Sequence, residues 1–214
     1  MDIRVLIPVE LSGEWFDKAV RRYGKWCLPG TTCRGYDPTC IEADVPDDWG
    51  VSMVKMANRA ESDGADGCIL DCFTDPGLEE CRQAVDVPVF GVGEQGMFFA
   101  RTLSQKFGMI TSDDSALGEI EENAERYGLG DNLVKTGSIS IPATEIPDNL
   151  DQVKDRLLDE ALKIPDEVST IVLGCTELAE LAPHLFSELQ RKGREVFVLN
   201  PIMVTIRQLE TRLL

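Results

Sequence analysis

A chain of 214 residues, 43% hydrophobic and free of long Ser, Gln, Pro or Gly tracts, can bury an adequate core unaided, which excludes a disordered or disulfide-dependent miniprotein. Its 38 acidic against 21 basic side chains leave a formal charge of −17, which repels a phosphate backbone and excludes nucleic acid as an expected partner. The start MDIRVLIPVELSGEW has one basic residue and a short apolar run, unlike a secretory signal, and nowhere do about 18 apolar residues run together; no membrane partner and a cytoplasmic location are expected.

Short Val-, Ile- and Leu-rich runs alternate with longer stretches of helical spacing, the pattern of parallel sheets covered by helices, so the expected class is α/β. In chain order the pattern predicts a strand over 3–9, a helix over 13–23, extended pieces around 31–36 and a helix over 52–63. A strand over 67–72, a helix over 77–85, a strand over 87–92 and a helix over 95–106 follow. Next come a strand over 107–112, a helix over 114–127, a strand over 133–141 and a helix over 150–163. The series closes with a strand over 170–174, a helix over 178–191, a strand over 196–199 and a helix over 201–213. Asp75-Pro76 and Asn200-Pro201 each place a capping side chain before a proline at the first helical position. The order of elements repeats without a low-complexity linker. Two similar halves are expected, 1–94 plus 200–214 and 95–199, each a Rossmann-like or flavodoxin-like parallel sheet flanked by helices, with the active site in the cleft between them.

The repeat is clearest in GCILDCFTDPGLEE and STIVLGCTELAELA, where an apolar strand runs into Cys72 or Cys175, a Thr within two positions, and a helix. Ligands of parallel α/β sheets bind outside the carboxyl ends of the strands, which is where both cysteines fall. A thiol ahead of a helix N-terminus is expected to ionise below its usual pKa of about 8.5. A cysteine is often only a small buried hydrophobe; the matched settings single these two out. Inverting a carbon centre by proton exchange needs a base on one face and an acid on the other, and two facing thiols supply both with neither metal nor pyridoxal cofactor. The seven cysteines include no Cys-x-x-Cys pair, and Cys68 and Cys72, four residues apart at about 3.3 Å each on one strand, are too distant for a bridge. Cys27, Cys33, Cys40, Cys68 and Cys81 are read as packing or surface thiols. A metal site of Cys27, Cys33 and Cys40 is the alternative, with loose spacing and no neighbouring His.

At these residues the chain resembles the aspartate/glutamate/hydantoin racemase superfamily over essentially its whole length. DCFTDPGLEECRQAVDVPVFGVGE looks most like the hydantoin and allantoin racemase branch, with its Cys-Phe-x-Asp-Pro-Gly motif, while IVLGCTELAEL is similar to the Gly-Cys-Thr-Glu of aspartate racemases. The resemblance implies two α/β halves with one catalytic cysteine from each, Cys72 and Cys175, and a cofactor-independent racemase or epimerase of an amino acid or hydantoin-like substrate. Glutamate racemases carry His after the second Gly-Cys-Thr, where this chain has Glu177; its single histidine, His184, is read as a helix-surface residue. Where the hydantoin branch has Asn-Pro-Asn after the first strand, this chain reads Ile7-Pro8-Val9-Glu10. Pro8 keeps its place, and a carboxylate at Glu10 favours an ammonium or ureido N–H over a substrate carboxylate. Glu10 is alternatively a charge at the start of the first helix, near Ser12. By the same carry-over Phe73, Thr74, Thr111, Ser112 and Thr176 are substrate-binding candidates; the hydroxyls among them also suit helix capping. The implied partner is a small-molecule substrate, and a homo-oligomer stays open. The alternative function is a cysteine-dependent isomerase or lyase of the same superfamily, maleate-isomerase-like or arylmalonate-decarboxylase-like; a one-cysteine mechanism would leave one of the two matched settings without a use.

Overall fold

The computed structural model describes residues 1–11, 13–41 and 48–214. Ser12, just ahead of the expected first helix over 13–23, lies outside the described residues. In chain order the regular elements are β1 (Asp2–Leu6), α1 (Gly13–Gly24), β2 (Thr32–Tyr36), α2 (Trp49–Ser62), β3 (Gly67–Leu70), α3 (Leu78–Ala84), β4 (Val89–Gly91) and α4 (Val92–Leu103). They continue with β5 (Phe107–Thr111), α5 (Leu117–Arg126), β6 (Leu133–Ser138), α6 (Leu150–Leu162), β7 (Thr170–Leu173), α7 (Ala182–Arg191), β8 (Phe197–Leu199) and α8 (Pro201–Leu213).

The chain divides into two units, Met1–Gln95 with Ile202–Leu214, and Gly96–Pro201. The first holds a parallel sheet in the order β2-β1-β3-β4, the second a parallel sheet in the order β6-β5-β7-β8. The two orders are the same arrangement read from successive parts of the chain. Helices cover both faces of such sheets, so their inner strands read as continuous apolar runs. Every residue of β3 (GCIL), β5 (FGMIT) and β7 (TIVL) is buried. The covering helices bury one stripe each: Met53, Met56, Ala57 and Ala60 on α2, and Val153, Leu157 and Ala161 on α6. In the first unit the stripe joins Leu6, Cys68, Leu70 and Val89 of the sheet; in the second it joins Ile110, Ile171 and Leu173.

Several boundaries depart from the sequence expectation for local reasons. β1 stops at Leu6: Ile7 still donates to the Tyr36 carbonyl at 2.7 Å, but Pro8 then has no N–H to offer. β6 stops at Ser138, with Ser140 at φ 51, while Ile139 and Ile141 still donate to the Thr111 and Ser112 carbonyls at 3.0 and 2.8 Å. The expected helix over 178–191 opens as a 3-10 stretch at Thr176–Leu181 and becomes α7 only at Ala182, with Pro183 in its first turn. α8 does start at Pro201, and the Asn200 side chain donates to the Ala179 carbonyl at 3.0 Å. Asp75-Pro76 does not start α3. That helix begins at Leu78 behind Gly77, whose φ of 70 lies in the left-handed region and whose Cα packs so closely on α2 that a Cβ there would sit 2.8 Å from Gly50 backbone. No helix among the described residues is long and apolar enough to cross a membrane.

Candidate active site

The two cysteines occupy equivalent positions in the two sheets. Leu70 at the end of β3 pairs with Leu6 of β1, and the next residue, Asp71, donates its N–H to the Leu6 carbonyl at 2.8 Å. Leu173 at the end of β7 pairs with Ile110 of β5, and the next residue, Gly174, donates to the Ile110 carbonyl at 2.8 Å. Cys72 and Cys175 each come one residue later, partly exposed at the carboxyl edge of their sheet.

Around Cys72 the chain is held from several sides. Its Sγ lies 3.3 Å from the Thr74 hydroxyl, and the Asp75 N–H closes a turn onto the Cys72 carbonyl at 3.1 Å. Asp75 takes a φ of 49, which side chains other than Gly, Asn and Asp rarely adopt. Its buried carboxylate accepts the Gly93 and Glu94 N–H groups at 3.0 and 2.6 Å, satisfying two of the donors left open at the start of α4. Glu94 is in turn gripped by Arg82 of α3 at 2.9 and 2.5 Å. A Cβ on Gly93 would sit 2.1 Å from the Phe73 carbonyl oxygen, so glycine is required for this approach. On the other side the buried Asp71 carboxylate accepts the Tyr23 hydroxyl at 2.7 Å. The expected capping aspartate is therefore real, but it caps the helix after β4 and thereby fastens the cysteine turn to it.

Cys175 heads the 3-10 stretch in an extended conformation. The Ser112 hydroxyl and the backbone N–H groups of Glu177 and Leu178 bear on its thiol. Thr111 donates its hydroxyl to the Gly174 carbonyl at 3.0 Å, fixing the residue before the cysteine.

Both thiols are shifted against the sequence expectation. Burial pushes Cys72 up to about 12, the Thr74 hydroxyl and N–H pull it partly back, and the neighbouring Asp75 and Asp71 carboxylates raise it further. Burial also raises Cys175, with Ser112 and the Glu177 and Leu178 amides opposing. Burial is the largest effect at both sulfurs and outweighs any pull from a helix start; at Cys72 the carboxylates add to it, and α3 begins only at Leu78.

The remaining expected site residues fall in two groups. Pro8, buried, follows the carboxyl end of β1 two residues past Leu6, as Cys72 lies two past Leu70, the partner of Leu6 in β3, and buried Phe73 and Thr74 belong to the Cys72 turn. Glu10 is exposed two residues past Pro8. Thr111, Ser112 and Thr176 gather around Cys175, with Ser112 in the second sheet standing where Pro8 stands in the first. His184 is half-buried on α7. Residues whose part the sequence reading missed are Asp75 as the tie to α4, Tyr23 as the partner of Asp71, and Arg82 as the partner of Glu94. The visible signal for the first was Asp-Pro-Gly followed by Gly-Val-Gly-Glu. Cys40 does not join Cys27 and Cys33: among the described residues no three His, Cys, Asp or Glu side chains form a group able to hold a metal ion.

A family model described as Asp/Glu/Hydantoin racemase matches residues 37–209. A hydantoin racemase of Rhizobium meliloti is 27% identical over 179 residues, covering 82% of this chain and 72% of the relative. A hydantoin racemase of Pseudomonas sp. (strain NS671) is 24% identical over 139 residues, covering 64% and 56% respectively. Among solved structures, the allantoin racemase from Klebsiella pneumoniae superposes with a TM-score of 0.83 at 24% identity, over 99% of this chain and 86% of its own, a likeness of fold.

Proposed function

This chain belongs to the Asp/Glu/hydantoin racemase family and is a racemase acting on a small molecule, and from that premise we propose that it inverts the stereocentre of a hydantoin-class ring by proton transfer between Cys72 and Cys175. The observation that carries the reading is the equivalence of the two cysteines, each one residue after a backbone N–H that bonds the central strand at 2.8 Å. The C–H between the ring nitrogen and the carbonyl of a hydantoin is the acidic one, since its carbanion is delocalised into the carbonyl. One cysteine, as thiolate, removes that proton; the other, as thiol, returns one to the opposite face. After the turnover the thiolate and thiol have changed places, and the enzyme is set for the other enantiomer until solvent exchange resets it.

Burial makes each thiol harder to ionise but makes the thiolate, once formed, a stronger base toward a weak carbon acid. The Thr74 hydroxyl beside Cys72, and Ser112 with the two amides beside Cys175, donate to whichever sulfur carries the charge. Glu10, exposed beyond the same strand edge as Pro8, is suited to accept a ureido N–H. Substrate choice is tested by following optical rotation of the separate enantiomers of 5-substituted hydantoins and allantoin alongside aspartate and glutamate. Racemisation of the ring compounds is expected; racemisation confined to the free amino acids would overturn the substrate class.

Two further results are expected in the same assay. Because burial holds the proton-removing thiol above its usual pKa of about 8.5, at about 12 for Cys72, the rising limb of kcat/KM against pH has its midpoint well above neutrality. A plateau already reached at neutral pH would contradict this. Dialysis against chelator leaves activity unchanged with no pyridoxal added, since the thiols supply both proton-transfer groups. Loss of activity restored only by a divalent metal would remove the mechanism.

A further inference from the structure

The five cysteines outside the proposed reaction are not alike. Cys68 and Cys81 are fully buried, and Cys40 packs against the core of the first unit. Cys27 and Cys33 instead bring their Sγ atoms to 3.2 Å, both partly open to solvent. Cys27 lies just past α1, where its thiol also reaches the Tyr23 carbonyl at 3.6 Å; Cys33 lies on β2, the edge strand of the first sheet. The short connection between them is anchored throughout. Thr31 donates to the Leu28 carbonyl at 3.0 Å across a turn with Gly30 at φ 92, and Thr32 donates to the Met1 carbonyl at 2.9 Å. Leu28 donates to the buried Glu210 carboxylate of α8 at 2.7 Å. Backbone bonds thus hold the two thiols within hydrogen-bonding reach of each other, and about 1.2 Å of approach would bring the sulfurs to bonding distance.

We propose that Cys27 and Cys33 form a dithiol modification site, which a low-molecular-weight disulfide such as oxidised glutathione converts to an intramolecular disulfide. The Cys27 thiolate attacks one sulfur of the oxidised glutathione, forming a mixed disulfide and releasing one glutathione thiolate. Cys33, losing its proton to solvent, then attacks the Cys27 sulfur and displaces the second glutathione thiolate. The protein loses two electrons and two protons, and one oxidised glutathione becomes two reduced ones. Cys27 is the attacking group because the hydrogen bond from Cys33 lowers its pKa, while that of Cys33 is raised. The site is separate from the proposed catalytic pair, although the backbone carbonyl of Tyr23 meets Cys27 and its hydroxyl meets Asp71.

The test is to equilibrate the full chain with a series of reduced to oxidised glutathione ratios, alkylate the remaining thiols, and map tryptic peptides by mass spectrometry. Cleavage after Lys25 and Arg34 puts both sulfurs in one peptide, 26–34. That peptide should lose two hydrogens and all alkylation at ratios where Cys40, Cys68 and Cys81 are still fully alkylated. In Cys33→Ser the reaction should stop at glutathione attached to Cys27. Peptide 26–34 alkylated twice across the whole series, or glutathione persisting on Cys27 in the unaltered protein, would overturn the proposal.

Discussion

Replacing Cys72 or Cys175 by Ser is expected to lower racemisation in both directions by about 10²–10⁴-fold, the usual worth of a positioned general acid or base. Serine keeps the shape and the neighbours, Thr74 beside position 72 and Ser112 beside position 175. Its hydroxyl ionises far above a thiol, so the variant can neither remove the proton nor carry the charge left after donating one. A half-reaction should survive: the remaining thiolate can still exchange the proton of one enantiomer with solvent, so each single variant retains exchange for one hand only. Chiral chromatography together with proton NMR in heavy water reads both properties. Near wild-type racemisation in both variants would end the two-thiol account. If only one of the two mattered, a one-cysteine isomerase or lyase of the same family would replace it.

Asp75→Ala is expected to be the costliest change outside the two thiols. It leaves the Gly93 and Glu94 N–H groups without their buried acceptor and places a Cβ-bearing residue without Asp's tolerance at φ 49. Unsatisfied buried donors cost about 1–3 kcal/mol each, so a loss of roughly 3 kcal/mol is expected, lowering Tm by roughly 6–12 °C. Because the same carboxylate fastens the Cys72 turn to α4, kcat should fall more than KM rises. Asp75→Asn keeps one acceptor and the left-handed tolerance, and should recover much of both. Urea denaturation and steady-state kinetics on the pair check this; a stability change in Asp75→Ala within about 0.5 kcal/mol would show that the tie to α4 is dispensable.

The parallel sheets were legible because both faces of β3, β5 and β7 are covered, which writes uninterrupted runs such as GCIL and TIVL into the sequence. The repeat was legible because the same strand-end geometry recurs, and both cysteines follow from it. The ionisation of those cysteines was not. The pull of a helix start on a thiol can be read from sequence, but the burial that outweighs it at both cysteines, and the Asp75 and Asp71 carboxylates that add to it at Cys72, belong to the folded chain. Asp75 looked like the cap of the helix next in sequence, and its true partners lie beyond β4, a contact that only the folded chain brings about. Tyr23 and Asp71 meet across a separation of 48 residues for the same reason. Cys27 and Cys33 looked like scattered surface thiols because a hydrogen-bonded loop, not a motif, sets their 3.2 Å approach.

The central claim, transfer between two thiols on opposite faces of one carbon, is tested most directly by running the reaction in heavy water from one pure enantiomer and reading deuterium in each enantiomer early in the conversion. A thiol carries one exchangeable proton, so the proton removed cannot be the one returned to the other face. The product enantiomer should therefore contain solvent deuterium from its first appearance, above the enzyme-free blank, while unreacted starting enantiomer stays protiated. Deuterium entering the starting enantiomer as fast as it enters the product, or product still carrying the original proton, would contradict it.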